Sequence, residues 1–485
     1  MFRRKTLRLF TLLLAMAGCS QGGNKQKEAS VSKKAKLRPN VILIMADDMG
    51  WGDPAYNGND ISITPNLDKM AQNGLQMNRF YAAAPVCSPT RGSCITGRHH
   101  NRYGITYANS GFMKPEEITL AEVLKEQGYT TGHFGKWHLG TMTKTVRDAN
   151  RGGRPGNEHL YSPPQDNGFD VCFSTESKVP TWDPMVVPGR DAGDAKKKKY
   201  EKGGEYGTYY WNEKGEIVSE NLQGDDTRVI MDRALPFIEN AVKSEKPFFT
   251  IIWTHTPHLP VLAGQKYKDM YKDYDNDIQH FYGCITALDE QIGRLNDKLK
   301  EIGAYDNTVV FYTSDNGPEG RTRKGRTRGT AGHFRGRKRS LYEGGVRVPG
   351  IVQWPEKIKG HRETNVPYIT SDYFPTVLDI VGVKMPTDRP YDGVSFKNVL
   401  LGEKVESRGA PVGFWIKKQM AWHEDNLKLY SSDNGKTFEL YDLEKDPGEK
   451  TDIAADNMEK VQEMRKKLLA WRESVENSSK GQDYL

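Results

Sequence analysis

The sequence predicts an α/β fold: a large domain with a mostly parallel central sheet between helices, then a small C-terminal α+β subdomain with an antiparallel sheet. Three observations carry this. Short apolar runs rich in β-branched residues recur at 40–46, 247–253 and 308–313, as expected of strands buried on both faces. Each run gives way to a polar loop and then to a segment with apolar residues at helical spacing, the alternation that βαβ units produce. Near residue 400 the pattern changes to short runs at 412–415, 427–430 and 439–441, which read as antiparallel strands, ahead of a charged amphipathic helix over 457–475.

Along the chain, Asn40-Val41-Ile42-Leu43-Ile44-Met45-Ala46 is the first strand. Asp47-Asp48-Met49-Gly50-Trp51-Gly52-Asp53 is the loop at its carboxyl end, the edge where open α/β sheets bind ligands. Thr64-Pro65 opens a helix, because threonine caps and proline suits the first turn. Leu67, Met70 and Ala71 supply its apolar face, and Asn73-Gly74 closes it. A second strand is expected over 75–83, running straight into a turn that holds Cys87. A helix over 120–127, a strand over 129–134 and the loop Gly135-Lys136-Trp137-His138-Leu139-Gly140 follow. Residues 141–225 have weak periodicity and many Gly, Pro, Lys and Asp. They read as long loops covering the site, with Lys196-Lys197-Lys198-Lys199 a solvated run. Further helices are expected over 226–242, 275–302 and 371–381, and a further strand over 346–353. No repeat of 20–50 residues is visible.

The first 37 residues stand apart. The formal charge is +7, and Arg3, Arg4, Lys5 and Arg8 supply four of it, leaving +3 (7 − 4) for the rest. That balance does not argue for a nucleic-acid partner, and no nucleic-acid-binding motif is seen, so none is expected. The apolar run from 9 to 17 is too short for a membrane span of about 20 residues. Met16-Ala17-Gly18-Cys19 resembles a bacterial lipobox. That resemblance implies a signal peptide over 1–18, lipidated Cys19, a polar linker over 19–37, and an exported periplasmic or cell-surface lipoprotein held to the membrane through its lipid alone. The remaining chain divides into 38–400 and 401–480. Beyond Cys19 and Cys87, Cys94, Cys172 and Cys284 have no tight spacing and read as buried thiols, with at most one disulfide.

Residues suited to chemistry cluster at expected strand ends. Asp47 and Asp48 follow the first strand, Cys87 and Arg91 the second, and Lys136 and His138 the third; His258 and then Asp315 with Asn316 follow two more. Carboxyl ends of parallel strands share one edge, so these residues can converge. Asp47, Asp48, Asp315 and the Asn316 amide are hard oxygen ligands that suit Ca2+ or Mg2+. Alone, an Asp-Asp pair is usually a surface turn, Lys136 a surface lysine and His138 a core histidine.

Cys87-x-Pro89-x-Arg91, with Thr96-Gly97-Arg98, resembles the signature of the type I sulfatases. The resemblance runs over about 38–450, through Gly135-Lys136-x-His138, Pro257-His258-x-Pro260, Ser314-Asp315-Asn316-Gly317, and Gly336-x-Lys338 ahead of Glu343-Gly344-Gly345-x-Arg347-Val348-Pro349. Leu440-Tyr441-Asp442-Leu443-x-x-Asp446-Pro447-x-Glu449 extends it. It implies an alkaline-phosphatase-like large domain and a sulfuric ester hydrolase. It implies that Cys87 is oxidised to formylglycine (3-oxoalanine) by a formylglycine-generating or anaerobic sulfatase-maturating enzyme. Asp47, Asp48, Asp315, Asn316 and the modified Cys87 would bind the cation, usually calcium, with magnesium the other candidate. The hydrated aldehyde would be the nucleophile. Arg91 would hold it, His138 would aid its later collapse, Lys136 and Lys338 would contact sulfate, and His258 would protonate the leaving alcohol. His255 is a further substrate-binding candidate, with packing as its plain alternative.

Asn167-Gly168-Phe169-Asp170, Ser174-Thr175-Glu176 and Val179-Pro180-Thr181-Trp182-Asp183-Pro184 resemble bacterial carbohydrate sulfatases, which implies a sulfated glycan as substrate. Exo-acting release from galactose or N-acetylgalactosamine sulfate is the leading expectation. Nine basic residues between Arg321 and Arg339 form either a cationic rim for a polyanionic glycan or a solvated loop. The alternatives are a phosphoester or phosphonate hydrolase of the same superfamily, and a glycan-binding lipoprotein with a dead site.

Overall fold

The computed structural model describes residues 38–189 and 202–484. The expected signal peptide, Cys19, the linker and the lysine run at 196–199 lie outside the described residues. In chain order the strands are β1 (Asn40–Ala46), β2 (Leu75–Met77), β3 (Phe80–Tyr81), β4 (Thr130–Lys136), β5 (Val171–Thr175), β6 (Tyr210–Asn212), β7 (Ile217–Val218), β8 (Phe248–Trp253), β9 (Thr308–Ser314), β10 (Arg347–Val348), β11 (Gly350–Gln353), β12 (Arg362–Thr364), β13 (Tyr368–Ile369), β14 (Val412–Ile416), β15 (Gln419–Glu424), β16 (Leu427–Ser431) and β17 (Glu439–Asp442). The helices are α1 (Pro65–Gln72), α2 (Cys87–Thr96), α3 (Leu120–Glu126), α4 (Asp226–Lys243), α5 (Gln265–Asp269), α6 (Asn276–Glu301), α7 (Glu343–Val346), α8 (Tyr373–Val381), α9 (Lys397–Leu400) and α10 (Met458–Ser479).

A ten-stranded sheet in the order β12-β2-β11-β9-β1-β8-β4-β5-β6-β7 forms the centre. From β9 to β5 all neighbours are parallel; β11, β6 and β7 pair antiparallel at the flanks. Side chains alternate across β1, so Val41, Leu43 and Met45 enter one core and Ile42, Ile44 and Ala46 the other. Residues of α2, α3 and α8 fill the first core, and residues of α1, α4 and α6 the second. This two-sided burial is why the strands read as unbroken apolar runs. The helix starts carry the expected caps: Asp225 and Asp275 accept from the backbones of Arg228 and Ile278, and Thr119 with Glu122 forms a capping box.

Register brings the site loops together. Met45 lies opposite Trp253 on one side and Thr313 on the other. The three chains therefore leave the sheet level with one another. The Asp47 amide donates to the Thr256 carbonyl at 3.0 Å, and the Asp315 amide to the Ala46 carbonyl at 3.1 Å.

Four expectations need correction. The strand expected over 75–83 divides into β2 and β3, which belong to different sheets. The run at 346–353 divides at Pro349, which has no N–H to donate to a ladder, into β10 and β11. Cys87 is not in a strand-end loop; it is the first residue of α2. All ten α2 residues are buried, so the helix has no exposed face to create a periodic signal. Residues 141–225 are not loop throughout, because β5 extends the parallel sheet and β6 and β7 extend it further.

Beyond residue 400, β14 to β17 form a four-stranded antiparallel meander. Met464 and Leu468 of α10 pack on Met420, Leu429 and Leu440. On its other side Lys428 of β16 is wholly buried, with its ammonium 3.0 Å from Glu343 and 2.7 Å from Glu449. Among the described residues no helix is long and apolar enough to cross a membrane.

Candidate active site

Asp47 and Asp48 sit where β1 ends, both buried, with Asp48 in the left-handed region at φ 70°. One ligand atom from each of Asp47, Asp48, Cys87 and His258 lies within 4.8 Å of the others. Asp315 and Asn316, at the end of β9, join by hydrogen bonds: the Asp48 amide donates to Asp315 Oδ1 at 3.1 Å, and Asn316 Nδ2 to Asp48 Oδ1 at 2.7 Å. The buried oxygens Asp48 Oδ2 and Asn316 Oδ1 have no hydrogen-bond partner. Burial, with Asp47, Glu319 and Asp315 nearby, pushes the Asp48 carboxyl up to about 7 although Lys338 opposes it. Three buried carboxylates and an unsatisfied amide oxygen are a hard oxygen donor set, and a divalent cation would relieve their mutual repulsion. The residues fit such an ion, with His258 brought into the same cluster.

Cations surround this set. Lys136 Nζ, at the end of β4, lies 2.6 Å from Asp47 Oδ2. Lys338 Nζ lies 2.5 Å from Asp48 Oδ1 and 3.1 Å from Glu319. Burial would raise the Asp47 carboxyl, but Lys136, His258, Arg91 and Lys338 outweigh it and hold it well below the usual range. Arg91, one turn into α2, donates to Asp315 Oδ2 and to the Lys136 carbonyl. The Cys87 thiol donates to Asp47 Oδ1 at 3.5 Å. Burial and then Asp315 push its pKa up, so as a bare thiol it stays protonated, unlike the thiolates of cysteine nucleophiles. Its place at the start of α2 aims free backbone N–H groups and the positive end of the helix dipole at the site, which favours an anion there.

The histidines separate in role. His258 Nδ1 lies 2.6 Å from the Leu259 carbonyl, which can only accept, so Nδ1 carries the proton and Nε2 faces Asp48 Oδ2 at 3.6 Å. His138 is buried at φ 60°, with Nε2 2.9 Å from Asn109 Oδ1. His255 does not line the site. It is fully buried, with Nδ1 2.8 Å from Asp226 and Nε2 2.8 Å from Thr175, so no ring nitrogen remains for a substrate.

Much of the basic stretch before Lys338 is tied to groups of the protein itself. Arg326 and Arg328 pair with Asp277 and Asp275, and Arg323 donates to the Tyr282 hydroxyl. Arg335 reaches the Glu449 carbonyl, and Arg337 the carbonyls of Gly320, Gly329 and Glu319. These arginines shape the loop rather than form a free cationic rim. The backbone just after Lys338 is held by Pro85 and Gln419. The Arg339 amide donates to the Pro85 carbonyl at 2.8 Å. Gln419, at the start of β15, donates to the Arg339 carbonyl at 2.8 Å and accepts from the Leu341 amide at 2.9 Å.

Glu319, Asn109 and Gln419 were not found from the sequence. Glu319 follows Ser314-Asp315-Asn316-Gly317 on one loop, which is the only local signal any of them carries. Cys94, Cys172 and Cys284 are buried free thiols.

The chain matches the model of the Sulfatase family over residues 39–383. It also matches that of N-sulphoglucosamine sulphohydrolase, C-terminal, over residues 329–474. Steryl-sulfatase of Rattus norvegicus is 31% identical over 420 residues, covering 75% of this chain and 70% of that protein. N-acetylgalactosamine-6-sulfatase of Canis lupus familiaris is 30% identical over 415 residues, covering 82% of this chain and 70% of that protein. The crystal structure of Ps i-CgsB in complex with k-i-k-neocarrahexaose matches with TM-score 0.75 and 25% identity, covering 93% of this chain and 98% of that one. With a buried acidic cluster, three cations around it and a family match across most of its length, this chain belongs to the sulfatase family and is an enzyme of that family.

Proposed function

We propose that the protein is an exo-acting carbohydrate sulfatase that hydrolyses a sulfate ester on a glycan, with galactose or N-acetylgalactosamine sulfate as the leading substrate. The observation that carries the reading is the meeting of Cys87 with Asp47, Asp48, Asp315 and Asn316 under Arg91, Lys136 and Lys338. The names of two similar proteins, one an N-acetylgalactosamine-6-sulfatase and one solved with neocarrahexaose, support a sugar substrate.

Asp47, Asp48, Asp315, Asn316 and the residue at Cys87 would hold a Ca2+ ion, or Mg2+ in its place, and the ion would offset the charge of a sulfate ester. Formylglycine made from Cys87 by a dedicated maturation enzyme would supply, when hydrated, one hydroxyl for attack and a second for release. The other tasks belong to residues present in the chain. Lys136 and Lys338 bring ammonium groups to the sulfate oxygens and stabilise charge that grows in the transition state. Arg91 holds the first turn of α2 against Asp315 and so fixes position 87. His258, with Nδ1 tied to the Leu259 carbonyl, presents Nε2 to the departing oxygen, and in its doubly protonated form it is the proton donor, worth roughly 10²–10⁴-fold on a sugar leaving group. His138 manages the proton of the second hydroxyl. The lipobox-like Met16-Ala17-Gly18-Cys19 supports an exported lipoprotein, with this work done outside the cytoplasm.

The test is turnover of a panel of position-defined sulfated mono- and disaccharides by the protein co-expressed with a maturation enzyme, beside matched phosphate and phosphonate esters. Mass spectrometry of the Cys87 peptide runs in parallel, since the aldehyde is lighter than the thiol. Faster turnover of phosphoesters, or full activity with an unmodified thiol, would sink the reading.

A further inference from the structure

We propose that Asn109 is a positioning residue that fixes His138 in its Nε2–H tautomer and so leaves Nδ1 as a proton acceptor inside the site. The inference rests on the sulfatase reading above and assigns a direction to the proton that His138 moves.

Asn109 lies on an exposed bend of the 107–110 segment, where Tyr107 and Ser110 form an isolated bridge. Its Oδ1 is 2.9 Å from His138 Nε2. Asn150 Nδ2 reaches the same oxygen at 3.2 Å and Ser177 Oγ at 3.3 Å. An amide oxygen has two lone pairs and no proton. Facing the Asn150 Nδ2 donor, this end of the Asn109 amide is the oxygen, and the ring nitrogen against it must carry a proton. A neutral imidazole has one N–H, so Nδ1 is then bare.

The surroundings agree. His138 Nδ1 is buried and has no partner among the described residues. The geometry of the ring turns it away from the Asn109 segment. Burial, and then Lys136, Arg151 and Arg91, hold the pKa of His138 well below its usual value, so the ring stays neutral rather than carrying both protons. His138 and Asn109 face one another with both backbones in the left-handed region, at φ 60° and 59°. For histidine this conformation is uncommon and costs about 1 kcal/mol or more, so the fold holds the ring in one place against a local preference. A bare, buried, immobilised Nδ1 can take a proton but cannot give one. His258 is set the opposite way, with Nδ1 protonated and Nε2 facing the site. The two histidines therefore turn different ring nitrogens to the site, Nδ1 of His138 and Nε2 of His258, and the latter donates only after the ring has taken up a second proton.

The experiment combines a tautomer readout with kinetics on the full matured chain. Long-range 1H–15N spectra of protein labelled with 15N-histidine report which nitrogen carries the proton, and His138→Gln assigns the resonance. The wild type is expected to show Nε2–H at His138. Asn109→Ala is expected to lose that fixed tautomer and about 10–100-fold in kcat, the range for removing a partner that orients a working histidine, with KM and melting temperature little changed. Asn109→Asp keeps an acceptor and is expected to retain Nε2–H and most of kcat, with its pH profile displaced upward because a carboxylate favours the protonated ring. A proton on Nδ1 in the wild type would overturn the proposal. So would an Asn109→Ala protein that keeps either full kcat or the Nε2–H tautomer. A wild type with Nε2–H at His138 that turns over no sulfate ester would instead reject the substrate reading and leave the tautomer assignment standing.

Discussion

Arg91 meets Asp315 in the interior: its Nε and Nη2 reach one carboxylate oxygen at 3.0 and 2.7 Å, and neither side chain has any solvent exposure. The fork also reaches the Lys136 carbonyl at 3.0 Å, so a single guanidinium ties α2 to the ends of β4 and β9. Arg91→Ala would leave a buried carboxylate unpaired and should cost about 3–5 kcal/mol in chemical denaturation. Arg91→Lys keeps the charge but not the planar fork, and should lose turnover far more than stability.

Cation binding should be visible without catalysis. Calcium or magnesium added to chelator-treated protein is expected to raise the melting temperature, with about 2.7 kcal/mol of stabilisation at a hundredfold excess over Kd. Asp48→Asn should abolish the effect. Cys87→Ser should bind the ion in calorimetry and have no turnover. Full activity in Cys87→Ser would remove the case for a modified residue.

His258→Ala should discriminate between leaving groups. On a sugar sulfate the loss should be roughly 10²–10⁴-fold, the usual range for removing a general acid. On 4-nitrophenyl sulfate, whose phenolate leaves unaided, the loss should be small. Equal losses on both substrates would show that His258 does not protonate the departing oxygen.

Asp53 should make stability fall as pH rises. Its carboxylate accepts from the Gly50 and Thr330 amides, both at 2.7 Å, yet burial pushes its pKa up to about 7. In the unfolded chain an aspartate titrates near about 4. Between these values the folded protein binds more protons than the unfolded one, so this group's contribution is fully present at low pH and is lost as pH rises through the folded pKa. Denaturation curves from pH 5 to 8 should therefore fall less steeply with pH in Asp53→Asn than in the wild type, on the order of 1 kcal/mol or more across that range.

Gln419→Ala should act on Lys338 at a distance. It removes one donor and one acceptor from the backbone at Arg339 and Leu341, each hydrogen bond worth about 1 kcal/mol. The expected result is a KM raised several-fold with a smaller change in kcat, because the sulfate-facing ammonium loses its fixed place. An unchanged KM would show that the backbone contacts to Pro85 and Pro318 hold Lys338 without Gln419.

The central strands and the long helices were legible because two-sided burial leaves unbroken apolar runs and one-sided burial leaves a helical period. α2 was not, since a helix buried on every side carries neither signal. The site was legible where residue type and strand-end position coincide, as at Asp47, Asp48, Lys136 and Asp315. His255 shares both properties, yet Asp226 and Thr175 occupy its ring. The basic run before Lys338 misled for a related reason. Composition counts charges, whereas Arg335 and Arg337 have their donors turned inward to carbonyl oxygens. Asn109 and Gln419 act through contacts across about 29 and 80 residues of chain, a separation at which no local pattern points from one residue to the other.

The burial of Lys428 between Glu343 and Glu449 bears on where this protein can be cut. Glu343 opens the segment just past Lys338, while its counter-ion comes from β16. An expression boundary drawn at residue 400 would strip Glu343 of the Lys428 ammonium, leaving it Arg347 at 3.4 Å and the Tyr81 hydroxyl, and would also take away Gln419. The meander is thus a support for the segment that carries Lys338 rather than an appendage, and a fragment trimmed to the larger sheet would lack both the neutralising ammonium and the brace behind its sulfate-facing lysine.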